Sequence, residues 1–295
     1  MSDGKEFDVK RCAKCAAWIP TTATKCSYCD TSSPDEPPAR PRGPALSLRH
    51  GVSATNALIA ANAALFFFAL IVAKARGVEG NVLQWALTGS TFTPGAWLCG
   101  AYVHQSVAQE HEWWRLISAA FLHYGVIHLA LNMLALRDLG ALTERLFGTA
   151  KFLVVYVLSA IGGNVAVGFW HGDGRPAVVA AGASGAIFGV MGLVTVYLLR
   201  AATERSRQVG MMLARDVLMM LGAGLVIPFI SNAAHVGGLV VGAACGYVLK
   251  DRLSDRFDPG SRRRWTSLAF VAVGLTVGAL VAAMWFALTY GGASR

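Results

Sequence analysis

The sequence predicts an all-α membrane protein with seven transmembrane helices, preceded by a small cysteine-rich module. Three observations carry this prediction. Hydrophobic residues make up 55% of the 295 and charged residues only 15%, a balance too apolar for an ordinary soluble chain. Seven apolar runs recur along it, most near the roughly 20 residues that a helix needs to cross a bilayer. Four of the six cysteines fall in the first 30 residues as two CxxC pairs. The net charge of +9 does not point to nucleic acid, because the cations lie between apolar segments rather than on one face of a soluble module.

Taken in chain order, residues 1–30 hold Cys12-x2-Cys15 and Cys26-x2-Cys29, separated by ten residues. This stretch is polar at its start, so no cleavable signal peptide is expected and the module is retained. Two such turns present four thiolates to one tetrahedral metal, in a segment with little apolar sequence to hold a core otherwise. The module resembles zinc ribbons, and zinc is the expected metal. A four-thiolate iron site and two disulfides are the alternatives. A closed four-sulfur site leaves no open position for catalysis, which points to a structural role or to docking of a cytoplasmic protein partner. Residues 31–50 are rich in Pro, Ser and charge and read as a linker.

The apolar runs are 52–73, 116–136, 149–170, 184–200, 210–230, 233–249 and 265–290. Loops holding Arg137, Arg145, Lys151, Arg200, Arg205, Arg207, Arg215, Lys250, Arg252, Arg256 and Arg262 to Arg264 alternate with loops holding little beyond Lys74, Arg76, Arg115, Arg175 and Arg295. Short cation-rich loops stay cytoplasmic, so the N-terminal module is expected in the cytoplasm, with the connection 77–115 and the tail outside. The implied domains are the module (1–30), the linker (31–50), a helical core (51–250), and a cytoplasmic loop with the last helix and tail (251–295). Cys99 and Cys245 read as packing residues.

Polar residues inside spanning helices are costly and therefore mark candidate sites. Here they are His123, His128 and Asn132 in FLHYGVIHLALNML, Ser184 in AAGASGAIFGVMG, and His235 in SNAAHVGGLVVG. At about 100° per residue, His128 and Asn132 lie about 40° apart and share a face, while His123 lies about 140° from His128 and belongs to the helix mouth. His235, Gly238, Gly242 and Gly246 form one stripe, and Gly185, Gly189 and Gly192 give the Ser184 helix a similar small-residue surface. Such stripes let membrane helices approach closely, and contact between these two would bring Ser184 and His235 together.

In order and spacing, Glu112-Trp113-Trp114-Arg115, His123-x4-His128-x3-Asn132, Gly182-x-Ser184-Gly185 and Ala234-His235-x2-Gly238-x3-Gly242 resemble the rhomboid intramembrane serine proteases over about residues 51–290. The resemblance implies a six-helix rhomboid core plus one C-terminal helix. It also implies Ser184 as nucleophile, His235 as general base, and His128 and Asn132 beside Ser184 in the oxyanion hole. Gly182, Gly185, Gly238, Gly242 and His123 would support the site, with Phe188 against the histidine where some members carry Tyr. A serine hydroxyl needs such a base to attack an amide, and no acidic residue is placed to make a triad. No cofactor is expected for catalysis. The implied partners are transmembrane protein substrates and the lipid bilayer, with water entering through the Gly-rich stretch 172–183. Trp113, Trp114 and Arg115 suit an interfacial anchor. Composition rich in Ala, Gly, Val and Arg points to a bacterial cytoplasmic membrane.

Other classes fit less well. A catalytically silent relative that binds membrane clients is the alternative, but such chains usually lack the serine or histidine. A transporter would favour paired carboxylates or inverted repeats. A metalloprotease on His123 and His128 lacks the spacing and the Glu of HExxH.

Overall fold

The computed structural model describes residues 8–13, 15, 17–32, 35, 53–78, 81–88, 92–171, 179–227, 230–255 and 258–289. Most of the linker 31–50, the stretch 172–178 and the tail after 289 lie outside the described residues. The chain divides into two compact units, Met1–Gly51 and Val52–Arg295.

In the first unit, β1 (Val9–Arg11) pairs antiparallel with β2 (Trp18–Pro20), Lys10 opposite Ile19. Alternation buries Ile19 with Cys12 and Cys26 and turns Trp18 outward, where Arg11 covers its ring at 4.8 Å.

The second unit is helical. Its elements are α1 (Ala54–Ala75), α2 (Val82–Thr88), α3 (Phe92–Leu98), β3 (Tyr102–Val103), α4 (His104–Ala108), α5 (Arg115–Ser118), a 3-10 turn at Ala119–Phe121, α6 (Val126–Phe147), α7 (Thr149–His171), β4 (Val179–Ala180), α8 (Ser184–Leu199), α9 (Glu204–Val226), α10 (Asn232–Val248), α11 (Arg252–Asp255) and α12 (Pro259–Thr289). Among the described residues α1, α6, α7, α9 and α12 are long and apolar enough to cross a membrane, and α8 and α10 are shorter apolar helices. The starts follow from local chemistry. Ser53, Thr203 and Ser231 accept hydrogen bonds from backbone N–H groups of α1, α9 and α10, satisfying donors that a first turn leaves open.

The second expected span is displaced. Residues 116–136 do not form one helix: α5 and the 3-10 turn end at Phe121, the chain is extended at Leu122 and Gly125, and α6 starts at Val126. The apolar run hid this break because Ala119, Ala120, Phe121 and Leu122 are buried in protein as part of the loop rather than in a spanning helix.

Helix α8 is the hub. It is apolar all round, and Gly185 to Thr195 are buried without interruption, the signature of a helix surrounded by others. Helix α12 packs through a stripe of Ala269, Ala272, Ala279, Ala283 and Ala287, while Phe270, Leu275 and Trp285 face outward. Arg76 donates to the carbonyl of Ala287 at 2.7 Å, a cation closing a helix C-terminus.

Candidate active site

The site is built where α8 and α10 touch. Without a hydrophobic drive between helices in lipid, association rests on close packing, and small residues permit it. Here the stripes meet: a Cβ on Gly238 would overlap the carbonyl of Gly185, and one on Gly242 the carbonyl of Gly189. Gly237, on the other side of α10, lies against the Gly162 carbonyl of α7. Helix α10 is thus seated between two neighbours by adjacent glycines, and the second of these contacts was not anticipated from the sequence.

At the mouth of this contact the His235 Nε2 and Ser184 Oγ lie 2.9 Å apart. His235 is buried and Ser184 partly exposed. The Phe188 ring stacks on the imidazole, centroids 4.1 Å apart and planes within 8°. The second imidazole nitrogen, Nδ1, has no hydrogen-bond partner among the described residues. Packing rather than a carboxylate therefore holds this ring. Ser184 is the first residue of α8, so the backbone N–H groups of its first turn lack helical acceptors and the positive dipole end faces the hydroxyl.

The remaining predicted residues surround Ser184. The backbone N–H of Tyr124 donates to His128 Nδ1 at 3.4 Å, so the proton of a neutral ring sits on Nε2. Gly182, at φ 141°, lies against that edge: a Cβ there would stand 3.1 Å from His128 Nε2 and 3.7 Å from Ser184 Oγ. Glycine at 182 thus leaves open a point within reach of both the Ser184 hydroxyl and the His128 Nε2 edge. The Asn132 amide donates one hydrogen to the His128 carbonyl at 2.9 Å and has a second to offer. His123 precedes α6, with its ring 5.1 Å from that of His128 and its Nε2 accepting from the Ala183 N–H at 3.5 Å.

A model of the Rhomboid domain matches residues 110–252, which contain every one of these side chains. Residues 110–252 thus carry a Rhomboid domain. Rhomboid protease GluP of Bacillus subtilis is 36% identical over 154 residues, covering 52% of this chain and 29% of that protein. RHOMBOID-like protein 4 of Arabidopsis thaliana is 32% identical over 190 residues, 59% of this chain and 47% of that one. Rhomboid protease AarA of Providencia stuartii is 26% identical over 221 residues, 67% of this chain and 73% of that one. The chain spans under half the length of the first of these curated relatives. Family and apolar helices together make it an integral, multi-pass membrane protein.

The rhomboid domain begins just before Glu112-Trp113-Trp114-Arg115, and here the structure corrects the interfacial-anchor reading. Trp113 is exposed, but Arg115 is fully buried and does not snorkel. Its Nε donates to Glu112 at 2.5 Å and its Nη1 to the carbonyls of Trp97 and Ala101 at 2.7 and 2.9 Å. The rings of Trp114, Phe286 and Trp97 flank it at 4.6, 5.0 and 5.6 Å. A buried guanidinium is tolerable when paired and bonded in this way, and it ties the first loop together. Phe286 belongs to α12, so the C-terminal helix closes the cage.

The four-cysteine module lies outside the matched rhomboid residues. Its sulfurs all fall within 4.8 Å of one another, with Cys12 to Cys29 at 3.9 Å and Cys15 to Cys26 at 3.7 Å. Four thiolates about 2.3 Å from one tetrahedral ion would be spaced by about 3.8 Å, so the cluster fits a metal ion. The Tyr28 backbone N–H, with that of Cys29, pulls the Cys26 thiol down to about 7, while burial and the three neighbouring thiols push Cys15 up to about 12.

Proposed function

We propose that this chain is an intramembrane serine endopeptidase that cleaves transmembrane segments of membrane proteins, with Ser184 as nucleophile and His235 as general base. The 2.9 Å contact between His235 Nε2 and Ser184 Oγ carries this reading. The imidazole takes the hydroxyl proton as Oγ attacks the scissile carbonyl, then returns it to the leaving amine. The oxyanion forms over Gly182, met by His128 Nε2–H, the second N–H of Asn132 and the Ser184 backbone N–H. The resulting acyl-enzyme is hydrolysed when His235 deprotonates a water at the same carbon. With no carboxylate to orient it, the ring depends on Phe188 and the glycine contacts.

Helix α8 has 16 residues, about 24 Å, against a hydrocarbon thickness of about 30 Å. Ser184 is therefore read as lying below the membrane surface. A spanning helix hides its amides, so a substrate segment must unwind locally, which favours small or helix-breaking residues near the cut. The cation-rich loops favour a cytoplasmic N-terminus, and the Ala-, Gly-, Val- and Arg-rich composition favours a bacterial cytoplasmic membrane. The proposed domains are 1–30, 31–50, 51–250 and 251–295.

A fluorophosphonate probe is expected to label the wild-type chain and leave Ser184→Ala unlabelled. Equal labelling of both would overturn the assignment and favour a silent client-binding relative.

The module is read as a zinc ribbon held by Cys12, Cys15, Cys26 and Cys29, structural or docking in role. Cys12→Ser is expected to lose the zinc that elemental analysis finds in the wild type, with probe labelling of Ser184 unchanged. Retained zinc would place the metal elsewhere.

A further inference from the structure

We propose that the Tyr124 side chain is a positioning element for the oxyanion hole, holding the His128 ring and the loop that delivers Ser184, while the backbone N–H at the same position sets the tautomer of that ring. The inference rests on the reading of Ser184 and His128 given above. Three contacts from one residue carry it. The Tyr124 backbone N–H, a donor only, occupies His128 Nδ1 and leaves the ring proton on Nε2, on the edge facing Gly182. The phenol ring stacks on the same imidazole, centroids 5.7 Å apart and planes within 14°, which favours the ring orientation that faces Gly182. The phenol hydroxyl donates to the Val179 carbonyl at 2.5 Å, bolting the mouth of α6 to β4, five residues before Ser184.

The neighbours of Tyr124 hold the same loop. The Gly182 N–H donates to the Ala119 carbonyl at 3.0 Å, and His123 Nε2 accepts from the Ala183 N–H. Residues 119–124 thus cradle 179–183, and Tyr124 is the member that grips both the loop and the donor aimed at it. An imidazole with its proton on Nδ1 would present a lone pair to the oxyanion and repel it, so the tautomer decides whether His128 helps or hinders.

The test uses the full-length chain in detergent and the maximal rate of fluorophosphonate labelling, kinact, with its KI measured separately. Tyr124→Phe keeps the stack and loses the hydroxyl bond. It is expected to lower kinact about fivefold at an unchanged melting temperature and unchanged KI. Tyr124→Leu loses the stack as well and is expected to lower kinact about 25-fold. In a His128→Ala background the Leu variant should lose no more than the Phe variant, because the ring then has nothing to orient. The same factor for Tyr124→Leu with and without His128 would overturn the positioning role, as would Tyr124→Phe at the wild-type rate or a change in KI alone. A wild type that is not labelled at Ser184 would overturn the protease reading and this inference with it.

Discussion

Ser184→Ala, His235→Ala and the double variant are expected to lose cleavage of a fluorogenic transmembrane-segment peptide by the same factor, on the order of 10⁴-fold or more. The hydroxyl and the imidazole lie 2.9 Å apart and perform one proton transfer between them. Removing either partner ends that transfer, and removing the second takes away nothing further. The helix N-terminus, His128 and Asn132 remain in all three variants, so a common residual rate should survive. That residue should fall again, by about 100-fold, when His128→Ala is added, since a lost oxyanion donor costs about 3 kcal/mol. Initial rates measured on the set at equal protein concentration decide the matter. Additive losses from the two single variants would mean that the groups act independently, and a dyad mechanism would not stand.

Much of this arrangement is legible in the sequence, because membrane helices convert spacing into position. The glycines at 238, 242 and 246 repeat on one face, those at 185, 189 and 192 on another, and close approach of the two places the polar residue heading each helix together. The paired CxxC turns are equally local, and their sulfurs converge as four-coordinate spacing requires. What stays hidden has a common cause: its partners are backbone carbonyls, which every residue carries and no sequence pattern marks. Arg115 reads as an interfacial cation but is bound by the carbonyls of Trp97 and Ala101. Tyr124 reads as one more aromatic at a helix mouth, yet its hydroxyl finds Val179, 55 residues away. The displaced start of α6 belongs to the same class. Apolar residues buried in a loop and apolar residues facing lipid are alike in composition. Only the pairing of Gly182 with the Ala119 carbonyl shows that residues 119–122 serve the site rather than span. The one sequence signal available there was polar: Ser118, His123 and the Gly125 break interrupt what hydropathy alone joins.

The contact between α8 and α10 makes the second large prediction. Gly242→Ala adds one methyl group at a position where it would overlap the Gly189 carbonyl, a backbone atom that no side-chain rotation can move aside. The helices must separate, and overpacking of this kind typically costs about 1–3 kcal/mol. The functional cost is larger. His235 sits on the same stripe, nearly two turns nearer the mouth, and its bond to Ser184 tolerates little lengthening before proton transfer fails. A misplacement of about 1 Å in such a pair costs on the order of 100-fold in rate. Gly242→Ala should therefore reduce cleavage and fluorophosphonate labelling about 100-fold while lowering the melting temperature only modestly. Gly274→Ala on α12 is the control, since a Cβ there meets nothing within 4 Å. It is expected to label at the wild-type rate, and helix propensity should leave it slightly more stable. If Gly242→Ala labelled at the wild-type rate, the distance between Ser184 and His235 would have to be held by something other than the glycine contacts, and Phe188 stacked on the imidazole would be the element left to hold it.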